Sequence, residues 1–224
     1  MDALRIDYRS NSRAKVGGNL GESSCWCEQQ VNKAVFLDRD GTIIEDADYA
    51  WRPEDLRVIA GAFAALKRAR ELGFRLIVVT NQSGVARGYF SEADVDRFHQ
   101  YMSVVFAAEG VAFDAIYTCP FHPTQGVEPY RIDSPLRKPK PGMLLQAAAD
   151  LQIDLSASFM IGDKMTDVAA GRAAGCRTIL VATGKGGADA ADAAFVPDLT
   201  AADIVAAVDW IATQTEANPD HARN

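Results

Sequence analysis

The feature that most constrains this chain is an alternation of short apolar segments with helical patterns, which begins at Lys33 and continues to about residue 213. Five apolar segments have the length and flanking residues of strands, and helical patterns separate them. The predicted strands cover residues 34–37, 76–79, 113–118, 158–163 and 177–184. Strands and helices in this order predict an α/β fold, with a parallel sheet covered by helices on both faces.

Local signals place the ends of the helices. Gly73 and Gly175 each follow a helical pattern and are suited to end it, and Ser91 with Asp94 three residues later forms a capping pair. The predicted helices cover residues 62–72, the segment after Ser91, the segment that Pro141 opens, 166–174 and 201–213. Residues 119–141 form a long proline-rich loop, and loops of that length in compact domains are usually functional.

Length and patterning indicate one folded domain. A chain of 224 residues with 48% hydrophobic and 24% charged residues has the composition of an ordinary globular protein. Residues 1–32 are polar and show neither the strand nor the helix period, so we expect a poorly ordered or surface-draped arm. We expect the domain at residues 33–215 and a short tail at 216–224.

The net charge and the apolar content indicate which partners this protein can bind and in which compartment we expect it. The net charge of −7 argues against nucleic acid or an anionic membrane as the partner, although a locally basic pocket can still hold a small anion. No apolar run is long enough to span a bilayer, and the first thirty residues lack the apolar core of a secretory signal, so we expect a cytoplasmic protein. The cysteines are then expected to be reduced thiols. They are Cys25, Cys27, Cys119 and Cys176.

Polar side chains follow the first, second and fourth predicted strands, and a lysine ends the long loop. The first strand continues into "VFLDRDGTII", which places two carboxylates two residues apart before a glycine. The full set is Asp38, Asp40, Thr80, Asn81, Lys138, Asp163, Lys164 and Asp167. Because ligands of parallel sheets bind beyond the carboxyl ends of the strands, we expect these residues to form one site.

The chemistry of this set fits phosphoryl transfer. Converging carboxylates require a cation, and Mg²⁺ prefers oxygen ligands. An ionised aspartate can attack phosphorus to form an aspartyl-phosphate, while a second protonates the leaving oxygen and later deprotonates water. Alone, "DRDG" is compatible with an Asp-rich turn or a calcium loop, but its glycine is misplaced for a calcium loop and no glutamate stands at loop position twelve. Joint occurrence of the motifs after apolar strands favours the catalytic interpretation.

Four motifs together resemble the signatures of the haloacid dehalogenase superfamily of phosphatases. They are "FLDRDGTI", "VVTNQSG", "RKPKPG" and "MIGDKMTD", and the resemblance covers residues 33 to about 187. Within that superfamily, "VTNQSGVARGYFSE", "YTCPFHP" and "RKPKPGML" resemble the branch of D,D-heptose 1,7-bisphosphate phosphatases and histidinol-phosphate phosphatases. The resemblance implies a Rossmann-like three-layer sandwich without a large cap domain, in which loops close the site.

The resemblance also implies residue roles. Asp38 matches the nucleophile and Asp40 the general acid/base; the Asp38 carboxylate, the Asp40 carbonyl and Asp163 match the Mg²⁺ ligands. Thr80 matches the residue that binds the transferring phosphoryl group, which Lys138 neutralises. Positions that match the substrate lining are Asp46, Ala47, Asp48, Tyr49, Thr80, Asn81, Gln82, Ser83, Arg137, Lys138 and Lys164.

One departure from the branch concerns zinc. Relatives often hold a structural zinc with a Cys-x-His pair and a later Cys-x-Cys pair in the long loop. Cys119 matches the first ligand, but Phe121 stands in place of the histidine and residues 126–137 contain no cysteine. We therefore expect Mg²⁺ and no zinc.

The combined interpretation is a monomeric, Mg²⁺-dependent phosphatase whose partner is a small phosphorylated sugar. The most favoured substrate is D-glycero-D-manno-heptose 1,7-bisphosphate, hydrolysed at the 7-phosphate. Histidinol-phosphate phosphatase is the nearest alternative, and a catalytically silent sugar-phosphate-binding domain or a phosphotransferase remains open. The intact acid/base Asp40 argues against the silent domain.

Overall fold

A computed structural model describes residues 32–188 and 195–216, so Cys25, Cys27 and nearly all of the predicted arm at 1–32 and tail at 216–224 lie outside the described residues. The strands are β1 (Lys33–Leu37), β2 (Phe74–Asn81), β3 (Ala115–Cys119), β4 (Phe159–Gly162), β5 (Arg177–Val181) and β6 (Leu199–Ala201). They form one parallel sheet of six strands in the order β3-β2-β1-β4-β5-β6. The order reverses beside β1, which is where ligands bind in such sheets.

The helices are α1 (Ala62–Glu71), α2 (Glu92–Ala108), α3 (Gly142–Leu151), α4 (Met165–Ala174) and α5 (Ile204–Glu216). The predicted capping box is confirmed at α2, where the Ser91 hydroxyl accepts from the Asp94 N–H and the Asp94 carboxylate accepts from the Ser91 N–H. Gly175 adopts the left-handed conformation that ends α4. None of the helices in the described ranges combines the length and apolar character needed to cross a membrane.

The sheet is buried on both faces, which makes the α/β three-layer architecture. Val35 and Leu37 of β1 contribute to a core shared with α1, α2 and α5. Ala34 and Phe36 point to the opposite core, which α3 and α4 cover. Strands buried on both faces read as continuous apolar runs, as these do. The central strands therefore hold their carboxyl ends in fixed positions.

Several predicted boundaries are wrong, most clearly at the last helix. Residues 199–201 form β6, and α5 begins at Ile204 rather than at 201. Leu199 and Ala201 pair with β5, and the Asp203 carboxylate then accepts the Ala206 N–H, so the helix cannot begin earlier. β5 ends at Val181, short of residue 184, and β2 extends through Asn81 because it pairs with β3 to that point.

Candidate active site

The ends of β1, β2 and β4 bring predicted site residues to one edge of the sheet. β1 pairs with β2 on one side and β4 on the other, and the Asp38 N–H donates to the Ile161 carbonyl at 2.9 Å. Asp38 and Asp163 therefore lie side by side just beyond the ends of β1 and β4. Thr80 lies near the end of β2, on the other side of β1 from Asp163. All three are at most 4% exposed, so surrounding protein fixes their positions.

A glycine allows the turn after β1 to approach Asp163. Gly41 has φ +78°, and a Cβ added there would lie 2.4 Å from Asp163 Oδ2. The loop after β5 closes on the same turn, since the Thr183 hydroxyl donates to the Gly41 carbonyl at 2.6 Å and the Lys185 N–H donates to Asp163 Oδ2 at 2.7 Å. Any side chain at Gly41 would displace the carboxylate.

Lys138 is a buried ammonium between two carboxylates. Its Nζ lies 2.7 Å from Asp38 Oδ1, 2.7 Å from Asp167 Oδ1 and 2.7 Å from the Val79 carbonyl. Burial lowers the pKa of Lys138, but Asp167 and Asp38 outweigh it and the net shift is upward. Burial likewise raises the pKa of Asp38, but Lys138 and Lys164 bring it below the usual value. Asp38 is thus an ionised carboxylate with one oxygen held by Lys138.

The acidic cluster fits a cation. One carboxylate oxygen from each of Asp38, Asp163 and Asp167 lies within 4.8 Å of the others, and all three residues are buried. Asp163 Oδ1 accepts no hydrogen bond from the described residues, and Lys164 Nζ is 3.4 Å away. Burial raises the pKa of Asp163 to about 6 and that of Asp167 to about 7, and the charge of Asp38 adds to both shifts. Three carboxylates face two ammonium groups, so the set suits Mg²⁺.

Asp40 is held by a different set of contacts. Both of its oxygens accept from Arg39, at 3.1 Å from Nε and 3.0 Å from Nη2. Gln82 Nε2 donates to Asp40 Oδ2 at 3.0 Å and to the Thr80 hydroxyl oxygen at 2.8 Å. Because the Thr80 oxygen accepts from Gln82, its own O–H is free to donate elsewhere.

Residues of the predicted substrate segment 80–83 contact other site residues. The Asn81 side chain donates to the Lys138 carbonyl at 3.0 Å and accepts the Lys138 N–H at 3.1 Å. Asn81 and Gln82 therefore hold Lys138 and Asp40 in place, and substrate contact by Asn81, by Gln82 or by the half-buried Ser83 stays a prediction.

The turn from Asp46 to Tyr49 lies beside Lys185, in the loop after β5. Asp46 Oδ2 and Asp48 Oδ1 lie 3.3 and 3.7 Å from Lys185 Nζ, and Ala47 is exposed between them. A cavity of about 430 Å³ lies beside this turn. Its lining residues are Glu45, Asp46, Ile59, Ala60, Thr183, Gly184 and Lys185.

Hydrogen bonds and ring contacts join residues within the long loop, and one hydrogen bond ties the loop to α2. The Tyr130 hydroxyl donates to Glu92 Oε1 at 2.6 Å, and the Tyr130 ring lies 6.1 Å from the Phe121 ring. His122 Nδ1 accepts the N–H groups of Thr124 and Gln125. The Arg137 guanidinium donates to the Phe121 carbonyl at 3.0 Å, which holds it near Lys138.

Sequence reasoning missed several functional neighbours. Asp167 was noted only as a strand-end residue, yet it completes the acidic cluster and pairs with Lys138. Arg39 and His99 are fully buried polar side chains that contact each other. The signal for Arg39 is visible in the sequence, because a charged residue in a buried strand end requires a partner.

Comparisons with known proteins agree with this geometry. Residues 135–207 match the model of the HAD-hydrolase-like family. The chain is 46% identical over 150 residues to the D-glycero-alpha-D-manno-heptose-1,7-bisphosphate 7-phosphatase of Burkholderia mallei, covering 67% of this chain and 79% of that protein. It is 46% identical over 153 residues to the D-glycero-beta-D-manno-heptose-1,7-bisphosphate 7-phosphatase of Escherichia coli K12, covering 68% of this chain and 80% of that protein.

A solved structure of a heptose bisphosphate phosphatase has the same fold as this chain. The D,D-heptose 1,7-bisphosphate phosphatase of B. bronchiseptica, complexed with magnesium and phosphate, superposes with a TM-score of 0.71 at 30% identity and covers 81% of this chain and 99% of that chain. The two relatives at 46% identity match 67% and 68% of this chain, which is enough to show the family. The chain therefore belongs to the HAD-like hydrolases, within the branch of the heptose 1,7-bisphosphate phosphatases.

Proposed function

We propose that this protein is a Mg²⁺-dependent phosphatase that removes the 7-phosphate from D-glycero-D-manno-heptose 1,7-bisphosphate through an aspartyl-phosphate. The observation that carries the proposal is the buried Asp38 carboxylate, held by Lys138 at 2.7 Å beside the acidic cluster and two residues before Asp40. The names of the relatives supply the substrate.

In the first step an Asp38 oxygen attacks phosphorus as the bond from phosphorus to the sugar oxygen breaks. Asp40 gives its proton to that oxygen, and the heptose 1-phosphate leaves as an alcohol. Asp40 then takes a proton from water, which attacks phosphorus, releases inorganic phosphate and regenerates the Asp38 carboxylate. Lys138 and the free O–H of Thr80 stabilise the phosphoryl oxygens during both steps.

Asp38, Asp163 and the Asp40 carbonyl would hold the metal. When bound, Mg²⁺ supplies positive charge that neutralises the carboxylates and the phosphoryl oxygens. We assign Asp167 a different task, because its Oδ1 is paired with Lys138 and its Oδ2 accepts the Lys164 N–H at 3.0 Å. Asp167 would thus hold the Lys138 ammonium and the backbone of Lys164 beside the phosphoryl site.

The remaining proposals concern the residues that bind the substrate, the need for zinc, and the oligomeric state. Arg137 and Lys164 would bind anionic oxygens of the substrate, and Asp46, Asp48 and Tyr49 would bind sugar hydroxyls through their carboxylates and phenol; the Lys164 ammonium lies 4.0 Å from Asp38 Oδ2, which supports its share of this role. The loop takes its order from Tyr130 and its neighbours, so we infer that the protein needs no zinc. We also expect a monomer that acts in the cytoplasm, with no nucleic-acid or membrane partner.

Phosphate release from a panel of monoesters tests the assignment. The kcat/KM for heptose 1,7-bisphosphate should exceed that for histidinol phosphate, because a site that binds hydroxyl groups discriminates strongly when those groups are missing. Asp38→Asn should abolish release while the protein stays folded, since an amide is a poor nucleophile. The reverse order of substrates would assign the protein to histidinol phosphate, and activity in Asp38→Asn would exclude the aspartyl-phosphate.

A further inference from the structure

Arg39, the residue between the two catalytic aspartates, is a buried cation whose charge is directed at one of them. Its side chain is 0% exposed, and it donates two hydrogen bonds to the carboxylate of Asp40. Nη2 also donates to the Ala50 carbonyl at 2.8 Å, and Nη1 lies 3.0 Å from Nε2 of His99. The guanidinium is therefore fixed from three directions, by the turn after β1, by residue 50 and by α2.

His99 lies 60 residues further along the chain, in the middle of α2, and is 1% exposed. A guanidinium has donors only, so His99 Nε2 must accept and the imidazole is neutral with its proton on Nδ1. Burial, together with the charge of Arg39, lowers the pKa of His99 well below its usual value. The Phe98 ring covers the guanidinium, with its centroid 4.8 Å from Arg39 Cζ. Helix α2 thus supplies both the hydrogen-bond acceptor for Arg39, which is His99, and the ring that covers its guanidinium, which is Phe98.

The contacts of Arg39 determine where the Asp40 carboxylate points. A planar guanidinium that binds both oxygens sets the plane of the carboxylate as well as its position. A general acid must lie within hydrogen-bond reach of the oxygen it protonates, so its orientation limits the rate. Gln82 adds one further donor, from the end of β2. Any loss that lets Arg39 rotate will move Asp40 away from the leaving oxygen.

From this geometry we infer that Arg39 and His99 are positioning residues for Asp40, with His99 acting through Arg39. The inference rests on the proposed function, in which the proton of Asp40 passes to the alcohol oxygen as the phosphorus–oxygen bond breaks. An alkyl ester needs that proton because an alkoxide is a poor leaving group. A nitrophenyl ester does not, because nitrophenolate leaves as a stable anion. Misplacing Asp40 must therefore slow the first ester far more than the second.

Two variants of His99 test this with matched side chains. His99→Gln keeps an acceptor near the position of Nε2, whereas His99→Met has similar length but only a weakly accepting sulfur. The measurement is kcat/KM for heptose 1,7-bisphosphate and for p-nitrophenyl phosphate, because kcat/KM reports the steps through release of the alcohol. His99→Met should lower the value for the sugar about 10- to 100-fold, part of the full worth of a general acid, and that for the nitrophenyl ester less than about 3-fold. His99→Gln should recover most of the loss.

The inference would be overturned if His99→Met lowered kcat/KM equally for both esters or for neither. It would also be overturned if His99→Gln lowered kcat/KM for the sugar as much as His99→Met does. Asp40→Asn separates this from failure of the proposed function. If Asp40→Asn slows only the sugar ester and His99→Met does not, the positioning role is wrong. If Asp40→Asn slows both esters equally, Asp40 is not the acid. Should His99→Met not fold, Arg39→Lys keeps a buried charge without the two-point contact, and it must show the same selectivity between esters.

Discussion

The buried ion pairs of Lys138 lead to a specific prediction for Lys138→Met. The methionine keeps the apolar stem but leaves Asp38 and Asp167 without the ammonium that lies 2.7 Å from each. Lys138 is only 3% exposed, so water cannot replace it. Removing one partner of a buried ion pair costs about 3–5 kcal/mol, which for a domain of this size corresponds to a fall in Tm of about 6–20 °C. We expect that fall in the presence of EDTA, together with loss of turnover.

Thermal unfolding of three variants tests this reasoning. Lys140→Met is the matched control, since Lys140 lies two residues away in the same loop and its pair with Asp133 is exposed, which is worth about 0–1 kcal/mol. The double variant Lys138→Met/Asp167→Asn removes one of the stranded charges and should regain part of the lost Tm. Added Mg²⁺ should raise the Tm of Lys138→Met more than that of the parent, because the cation meets one more unpaired negative charge. A Tm for Lys138→Met in EDTA equal to that of the control would refute the argument.

Three further predictions follow from the metal site and the loop. Activity should vanish in EDTA and return with Mg²⁺, and Ca²⁺ should inhibit because its larger coordination shell misplaces the phosphate. Inorganic phosphate should bind at least about tenfold more tightly with Mg²⁺ than without it. Full activity in EDTA would contradict the dependence on Mg²⁺. Elemental analysis of protein purified without added metal should show less than one zinc per chain, and a stoichiometric zinc would contradict a loop that orders without it. Tyr130→Phe, which loses the bond to Glu92, should speed proteolytic cleavage within 126–136 about tenfold relative to the exposed control Tyr101→Phe; equal rates would show that the loop does not depend on that bond.

The parts of the fold that the sequence predicted are those encoded by local signals. Alternating apolar segments and helical patterns indicated five strands and their parallel arrangement, and the capping pair at Ser91 and Asp94 located the start of α2 within one residue. Parallel strands all present their carboxyl ends at one edge, which is why the sequence predicts that Asp38, Thr80 and Asp163 lie together. Periodicity and strand polarity are enough for that inference.

The parts that were missed depend on partners far along the chain. β6 has three residues, too few to show an alternation, and only its pairing with β5 identifies it as a strand. The Asn81 side chain binds the backbone of Lys138, 57 residues away, and no local pattern in the sequence indicates that contact. His99 sits within a helical pattern whose apolar members are buried, and nothing within α2 indicates that its acceptor meets Arg39.

The charges of the site predict that the cation binds before the phosphate monoester. When Asp38, Asp163 and Asp167 are all ionised, they outnumber Lys138 and Lys164 by one negative charge, which repels a phosphate monoester. A divalent cation reverses that sign, and only then does the edge of the sheet attract an anion. Asp40 is left out of this count because the buried guanidinium of Arg39 lies 3.0 Å from its carboxylate. When Asp40 is ionised, that positive charge offsets its negative charge, so Asp40 then adds no fourth uncompensated charge beside the acidic cluster.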